Sequence, residues 1–110
     1  MSIEIRDVNG ASVVALTGDV DLQTSPAVRQ KLLECLEKSK RVVADLGAVS
    51  YIDSSGVASL VEAFQVSRKK GASFALASVS PAAMRVLSLA RLDKVFTIHP
   101  DVAAATAAQG

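Results

Sequence analysis

Three strand-length runs, Arg41-Val42-Val43-Ala44-Asp45-Leu46, Ser73-Phe74-Ala75-Leu76-Ala77 and Lys94-Val95-Phe96-Thr97-Ile98, alternate along this chain with segments whose apolar residues recur every three or four positions. The short, mostly apolar runs are what a strand buried on both faces requires, and the longer spacing is that of a helix with one apolar stripe. Strands that alternate with helices bury both kinds of surface by crossing over into a parallel sheet. This alternation predicts an α/β sandwich.

Ahead of it, Ile3, Ile5 and Val8 approximate alternation and Ser12 to Thr17 is rich in β-formers, with Asn9-Gly10 between them. Both turn residues tolerate positive φ, so the pair predicts an antiparallel hairpin. Gly18-Asp19-Val20-Asp21 reads as a loop. Thr24 or Ser25 can cap a first helix with Pro26 in its first turn and Val28, Leu32, Cys35 and Leu36 as its stripe. A second helix carries Val57, Leu60, Val61 and Phe64 and stops at Arg68-Lys69-Lys70-Gly71, basic residues and a glycine being favoured there. Ser80-Pro81 opens a third helix, with Ala83, Met84, Val86, Leu87 and Leu89, and Pro100 to Ala108 makes an Ala-rich fourth. The expected fold is a mixed, mainly parallel β-sheet with an N-terminal β-hairpin, packed with about four α-helices. The 110 residues, half of them apolar, make a single domain, 1–110.

Composition removes several functions. A net charge of +1 lacks the positive field of a nucleic-acid binder, and with no Trp, one Tyr and three Phe there is no base-stacking platform. One Cys and one His cannot assemble a zinc site, and lone Cys35 excludes an internal disulfide, which fits a reducing cytoplasm. No stretch approaches the roughly 20 apolar residues of a membrane span, and Met1 to Asp7 has no signal-peptide core. Neither membrane insertion nor nucleic acid is expected.

Catalysis finds little support. The six glycines, at 10, 18, 47, 56, 71 and 110, match no phosphate-binding loop. No G-x-S-x-G elbow supports a nucleophilic serine. Asp19, Asp21, Asp45 and Asp53 form a carboxylate pair only if the fold brings them to one sheet edge. His99 reads as a strand-end histidine and Cys35 as a small core side chain. No catalytic residue, metal ligand or cofactor is assigned, and the chain reads as a non-enzyme.

One segment stands out. Tyr51-Ile52-Asp53-Ser54-Ser55-Gly56-Val57 runs from a strand into a helix, and capping explains one Asp or Ser there but not a run of four favoured residues. A helix start also presents free N–H groups and a positive dipole end, hospitable to a phosphate. Modification of a hydroxyl there adds about −1.5 to −2 charge to whatever surface contains it.

These residues, with Leu16-Thr17-Gly18-Asp19-Val20-Asp21 after the second strand, Asp45-Leu46, and Ser80-Pro81-x-x-x-Arg85-x-Leu87 downstream, resemble the STAS domain family, and more narrowly its single-domain bacterial anti-sigma factor antagonists. The resemblance covers essentially the whole chain. It implies that the unmodified protein binds an anti-sigma factor serine kinase of the GHKL type and so releases a sigma factor. It further implies that the kinase phosphorylates Ser55, that the modified form lets go, and that a PP2C-type phosphatase resets it. By the same resemblance Asp21 and Asp53 lie beside the modified serine, Ser54 shapes the turn and Gly56 completes the motif. With Val57, Leu60, Val61 and Phe64 turned to the core, Ala58, Ser59 and Glu62 form a partner face together with Asp19. A dianion at that face weakens binding by repulsion and desolvation. The alternative within the family is an accessory subunit of a lipid-transport ABC system, docking on its ATPase without a phosphorylation cycle.

Overall fold

Asn9 and Gly10 have φ values of 53° and 82°, the two left-handed residues that a tight hairpin turn needs. On either side of them β1 (Ser2–Val8) runs antiparallel to β2 (Ala11–Val20), Val8 opposite Ala11. From β2 onward every strand pairs in parallel with the next: β3 (Arg41–Ile52), β4 (Ser73–Ala77) and β5 (Thr97–His99) give the sheet order β1-β2-β3-β4-β5. The crossovers are α1 (Ser25–Lys38), α2 (Ser54–Lys70) and α3 (Pro81–Leu89). A short α4 (Val102–Thr106) follows β5. This computed structural model describes residues 1–107, so the last residue of the expected fourth helix, Ala108, lies outside the described residues.

The period-two pattern of the strands divides the core. Val14, Leu16, Val42, Ala44, Leu46, Phe74 and Leu76 face one side and pack with Val28, Leu32, Leu60 and Leu87 from α1, α2 and α3. Val13, Val43 and Ala77 face the other side and pack with Ala105 of α4. The mixed, mainly parallel sheet with its hairpin and four α-helices is the expected fold. Cys35 is buried, and its burial pushes the thiol pKa up, as befits a core side chain. No helix among the described residues is long and apolar enough to cross a membrane.

Four local expectations are corrected. The stretch read as a loop at Gly18-Asp19-Val20 continues β2, through pairing irregularities at Ala15/Thr17 and Gly18/Asp19 and with Gly18 at φ 92°. A β-rich run need not stop at a glycine when a bulge absorbs it. β3 likewise runs past Leu46 to Ile52, whereas its pairing with β4 ends at Asp45 opposite Ala77. The ends of β2 and β3 therefore project as a two-stranded ribbon. At the C-terminal edge Lys94 closes a 3₁₀ turn and Phe96 plugs the core, its ring 5.6 Å from Phe64 and 6.2 Å from Phe74, leaving only Thr97–His99 as strand.

The last correction concerns the face of α2. Val57 and Leu60 are buried as expected, but so are Gly56, Ser59, Ala63 and Ser67, while Val61 and Phe64 are half-buried and pack against the edge of the core. The small side chains let the helix pack closely, so the buried face extends beyond the apolar stripe onto Gly56, Ser59, Ala63 and Ser67.

Candidate functional site

The projecting ribbon ends where Val20 pairs with Ile52, and there the chain turns into α2. Asp53 donates its N–H to the Val20 carbonyl (3.1 Å) and caps the helix. One carboxylate oxygen, Oδ1, accepts from the backbone N–H of Ser55 (2.9 Å), from that of Gly56 (3.2 Å) and from the Ser55 hydroxyl (2.6 Å). The Ser55 hydroxyl lowers the Asp53 pKa most, followed by the Gly56 and Ser55 N–H groups and then that of Leu22, and together these outweigh desolvation. Asp53 is thus held ionised, and Ser55 is oriented by it. Ser54, the first helical residue, is exposed, whereas Ser55 is partly covered.

Gly56 is required by contact rather than by φ. A Cβ at this position would lie 2.7 Å from side-chain carbons of both Val20 and Ile52 and 2.9 Å from the Val20 carbonyl oxygen. The helix start is pressed onto the end of the ribbon, which fixes Asp53 and Ser55 relative to β2.

Asp19 and Asp21 lie at the same edge. Asp19 is exposed and registers with Tyr51. The Asp21 carboxylate accepts from the N–H groups of Gln23 (3.0 Å) and Thr24 (3.1 Å) and from the Thr24 hydroxyl (3.1 Å). These bonds shape the loop into α1, while Leu22, one residue on, brings its N–H toward Asp53. Thr24 occupies the cap position of α1, but its hydroxyl does not cap the helix; it donates to the Asp19 carbonyl (2.9 Å) and accepts from the Asp21 N–H (2.9 Å). Asp45 does not join them, since it lies far back on β3 with its carboxylate on the Gly47 N–H.

Of the expected partner face, Ala58 is exposed, and Glu62 is half-buried at the boundary with α1. The exposure expected for Ser59 is corrected: it is buried, and its hydroxyl donates to the carbonyls of Ser25 (3.3 Å) and Ser55 (3.2 Å). It joins α1 to α2 because the small-residue face of α2, not the outer face, contains it. Two features escaped the sequence reading. Arg29 of α1 forms a two-pronged ion pair with Glu62, both bonds 2.7 Å. The hydrogen bond from Arg29 and its charge pull the Glu62 pKa down. Leu22 and Tyr51, 75% and 51% exposed, flank the serines and offer apolar contact surface. An apolar residue between Asp21 and Gln23 was the available signal for Leu22; Arg29 looked like any solvated helix residue.

The chain from residue 2 to 105 matches the profile of the STAS domain. It belongs to the STAS domain family. Among STAS relatives, an anti-sigma F factor antagonist of Paenibacillus polymyxa is 28% identical over 90% of this chain and 86% of its own. A solved anti-sigma factor antagonist from Mycobacterium paratuberculosis is 30% identical, with a TM-score of 0.85 over 94% of this chain and 89% of that one. SpoIIAA of Bacillus, solved in its phosphorylated form, shares the fold at 17% identity, TM-score 0.74, over 94% of this chain and 96% of that one.

Proposed function

We propose that this STAS domain is an anti-sigma factor antagonist switched by phosphorylation of Ser55. The unmodified surface around α2 binds an anti-sigma factor serine kinase of the GHKL type and frees a sigma factor; a PP2C-type phosphatase restores it. The observation that carries the reading is the Asp53–Ser55 pair at the projecting start of α2, with the hydroxyl 2.6 Å from a carboxylate held ionised. The names of its relatives as anti-sigma factor antagonists support the partner class. In the kinase complex the Ser55 oxygen bonds to the γ-phosphorus of the kinase's ATP, ADP leaves, and the hydroxyl proton departs to solvent. The antagonist supplies a surface and an acceptor, not a catalyst, and works in the cytoplasm where such a kinase meets its ATP.

Phosphate alters this surface in two ways. It brings about −1.5 to −2 charge against ionised Asp53, and it competes with Asp53 for the Ser55 and Gly56 N–H groups. Exposed Leu22, Tyr51 and Ala58 supply contact area close by, so a partner seated there loses affinity by repulsion and by desolvation of the dianion.

Capture of partners with wild type, Ser55→Ala and Ser55→Asp tests the proposal. It predicts a GHKL-type kinase on the first two and much less on the third. An ABC-transporter ATPase recovered whatever stands at residue 55 would overturn the switch in favour of the accessory-subunit alternative.

A further inference from the structure

The groove beside Ser55 is also lined by a cation, Arg29. A cleft of about 300 Å³ between α1 and α2 is lined by Ser55, Ala58 and Glu62 on one side and Arg29 on the other. Arg29 is the one cation in that lining, and its half-exposed side chain holds the Glu62 carboxylate through Nε and Nη2, both at 2.7 Å. The N–H groups of Ser55 and Gly56, which a helix start normally offers to an anion, are already taken by Asp53. A dianion on Ser55 therefore meets a carboxylate on its own helix turn and finds compensation across the groove.

We propose that Arg29 is the receptor for the Ser55 phosphate: on modification its guanidinium leaves Glu62, a monoanion, for the phosphoryl oxygens, a dianion, and Glu62 is left unpaired beside the docking face. The inference rests on Ser55 being the acceptor. Geometry favours the exchange. Buried Ser59 ties α1 to α2 through the Ser25 carbonyl, which holds the two helices in register. Ser55 and Glu62 lie two turns apart, about 10 Å along the axis, a span shared by the extended arginine and the phosphoserine arm. Helical side chains lean toward their N-terminus, which aims Arg29 up the groove toward Ser55. Guanidinium groups bind phosphate in two-pronged fashion, and the higher charge of the phosphate wins the competition. The modified state then carries two changes at once: a phosphate whose charge Arg29 offsets only in part, and a newly unpaired Glu62 carboxylate facing the partner.

Phosphoserine installed at position 55 during translation, followed by phosphorus NMR across pH, tests this without any kinase. The charged groups around the phosphate are Asp53 and Glu62 on α2, Arg29 on α1, and Asp19 and Asp21 at the end of β2 and in the loop after it. The second phosphate pKa, ordinarily about 6, is expected to lie about half a unit or more lower with Arg29 present than in Arg29→Gln, with Arg29→Lys between them. The carboxyl carbon of Glu62 should titrate at higher pH once Ser55 is phosphorylated. Superimposable phosphate titrations in wild type and Arg29→Gln, or a Glu62 titration indifferent to the phosphate, would overturn the receptor assignment. Failure of the switch itself appears elsewhere, as partner capture indifferent to Ser55→Asp, and would leave these titrations unaffected.

Discussion

α2 and α3 both begin just after a strand, both are capped by a side chain, and both have serine at or next to the cap. At α3 the hydroxyl of Ser80 accepts from the Ala83 N–H (3.2 Å), donates to the Val49 carbonyl (2.8 Å), and is buried. Both of these bonds tie that serine into the fold. At α2 the cap is Asp53, which leaves Ser54 exposed and Ser55 held by a carboxylate at the end of a ribbon that outruns its neighbours. The first arrangement needs all of its polar groups to keep the fold; the second has hydroxyls to spare. A serine at a helix start becomes a candidate switch when something else does the capping.

The largest effect that this contrast predicts is on binding. Ser55→Asp, or phosphate at Ser55, should weaken capture of the kinase partner about 30- to 1,000-fold, equivalent to roughly 2–4 kcal/mol, whereas Ser80→Ala should leave it unchanged; titration calorimetry separates the two. Next is Gly56→Ala, whose added Cβ strikes Val20 and Ile52. It should destabilise the fold by about 1–3 kcal/mol in denaturant unfolding.

Smaller is Ser80→Ala itself, which leaves the Ala83 N–H and Val49 carbonyl unsatisfied. It should lose about 1–2 kcal/mol of stability with no change in binding. The reverse outcome, binding lost and stability kept, would break the comparison.

The smallest effect concerns pH. The Asp53 pKa lies below its ordinary 3.8 in the folded protein. Its contribution to stability is therefore present above that ordinary value and lost as pH falls through the lower folded one. Glu62, depressed from 4.5 chiefly by its hydrogen bond from Arg29, adds in the same direction. Thermal unfolding followed below about pH 4 should show a shallower acid loss in Asp53→Asn than in wild type.

The fold was legible because its signals were local and agreed. Asn9-Gly10 announced the hairpin, and the strand–helix alternation announced a parallel sheet. Boundaries failed where tertiary pairing overrode local signs: partnership between β2 and β3 carried both strands through Gly18 and Gly47, and Phe96 was drawn from a strand into an aromatic cluster. At the site, Asp53, Ser54, Ser55 and Gly56 were readable because they are contiguous. Ser59 was misread because it lies off the apolar stripe of Val57, Leu60, Val61 and Phe64, while here it belongs to the small-residue face by which α2 meets α1. Arg29 was invisible because its partner lies 33 residues away on another helix.

The central claim is that Ser55 accepts the phosphate. Incubation of the protein with its captured kinase and ATP, followed by intact mass and fragment mapping, tests it most directly. The account predicts one phosphate, on Ser55, absent from Ser55→Ala. A phosphate that persists in Ser55→Ala, with exposed Ser54 the next acceptor in line, would contradict it.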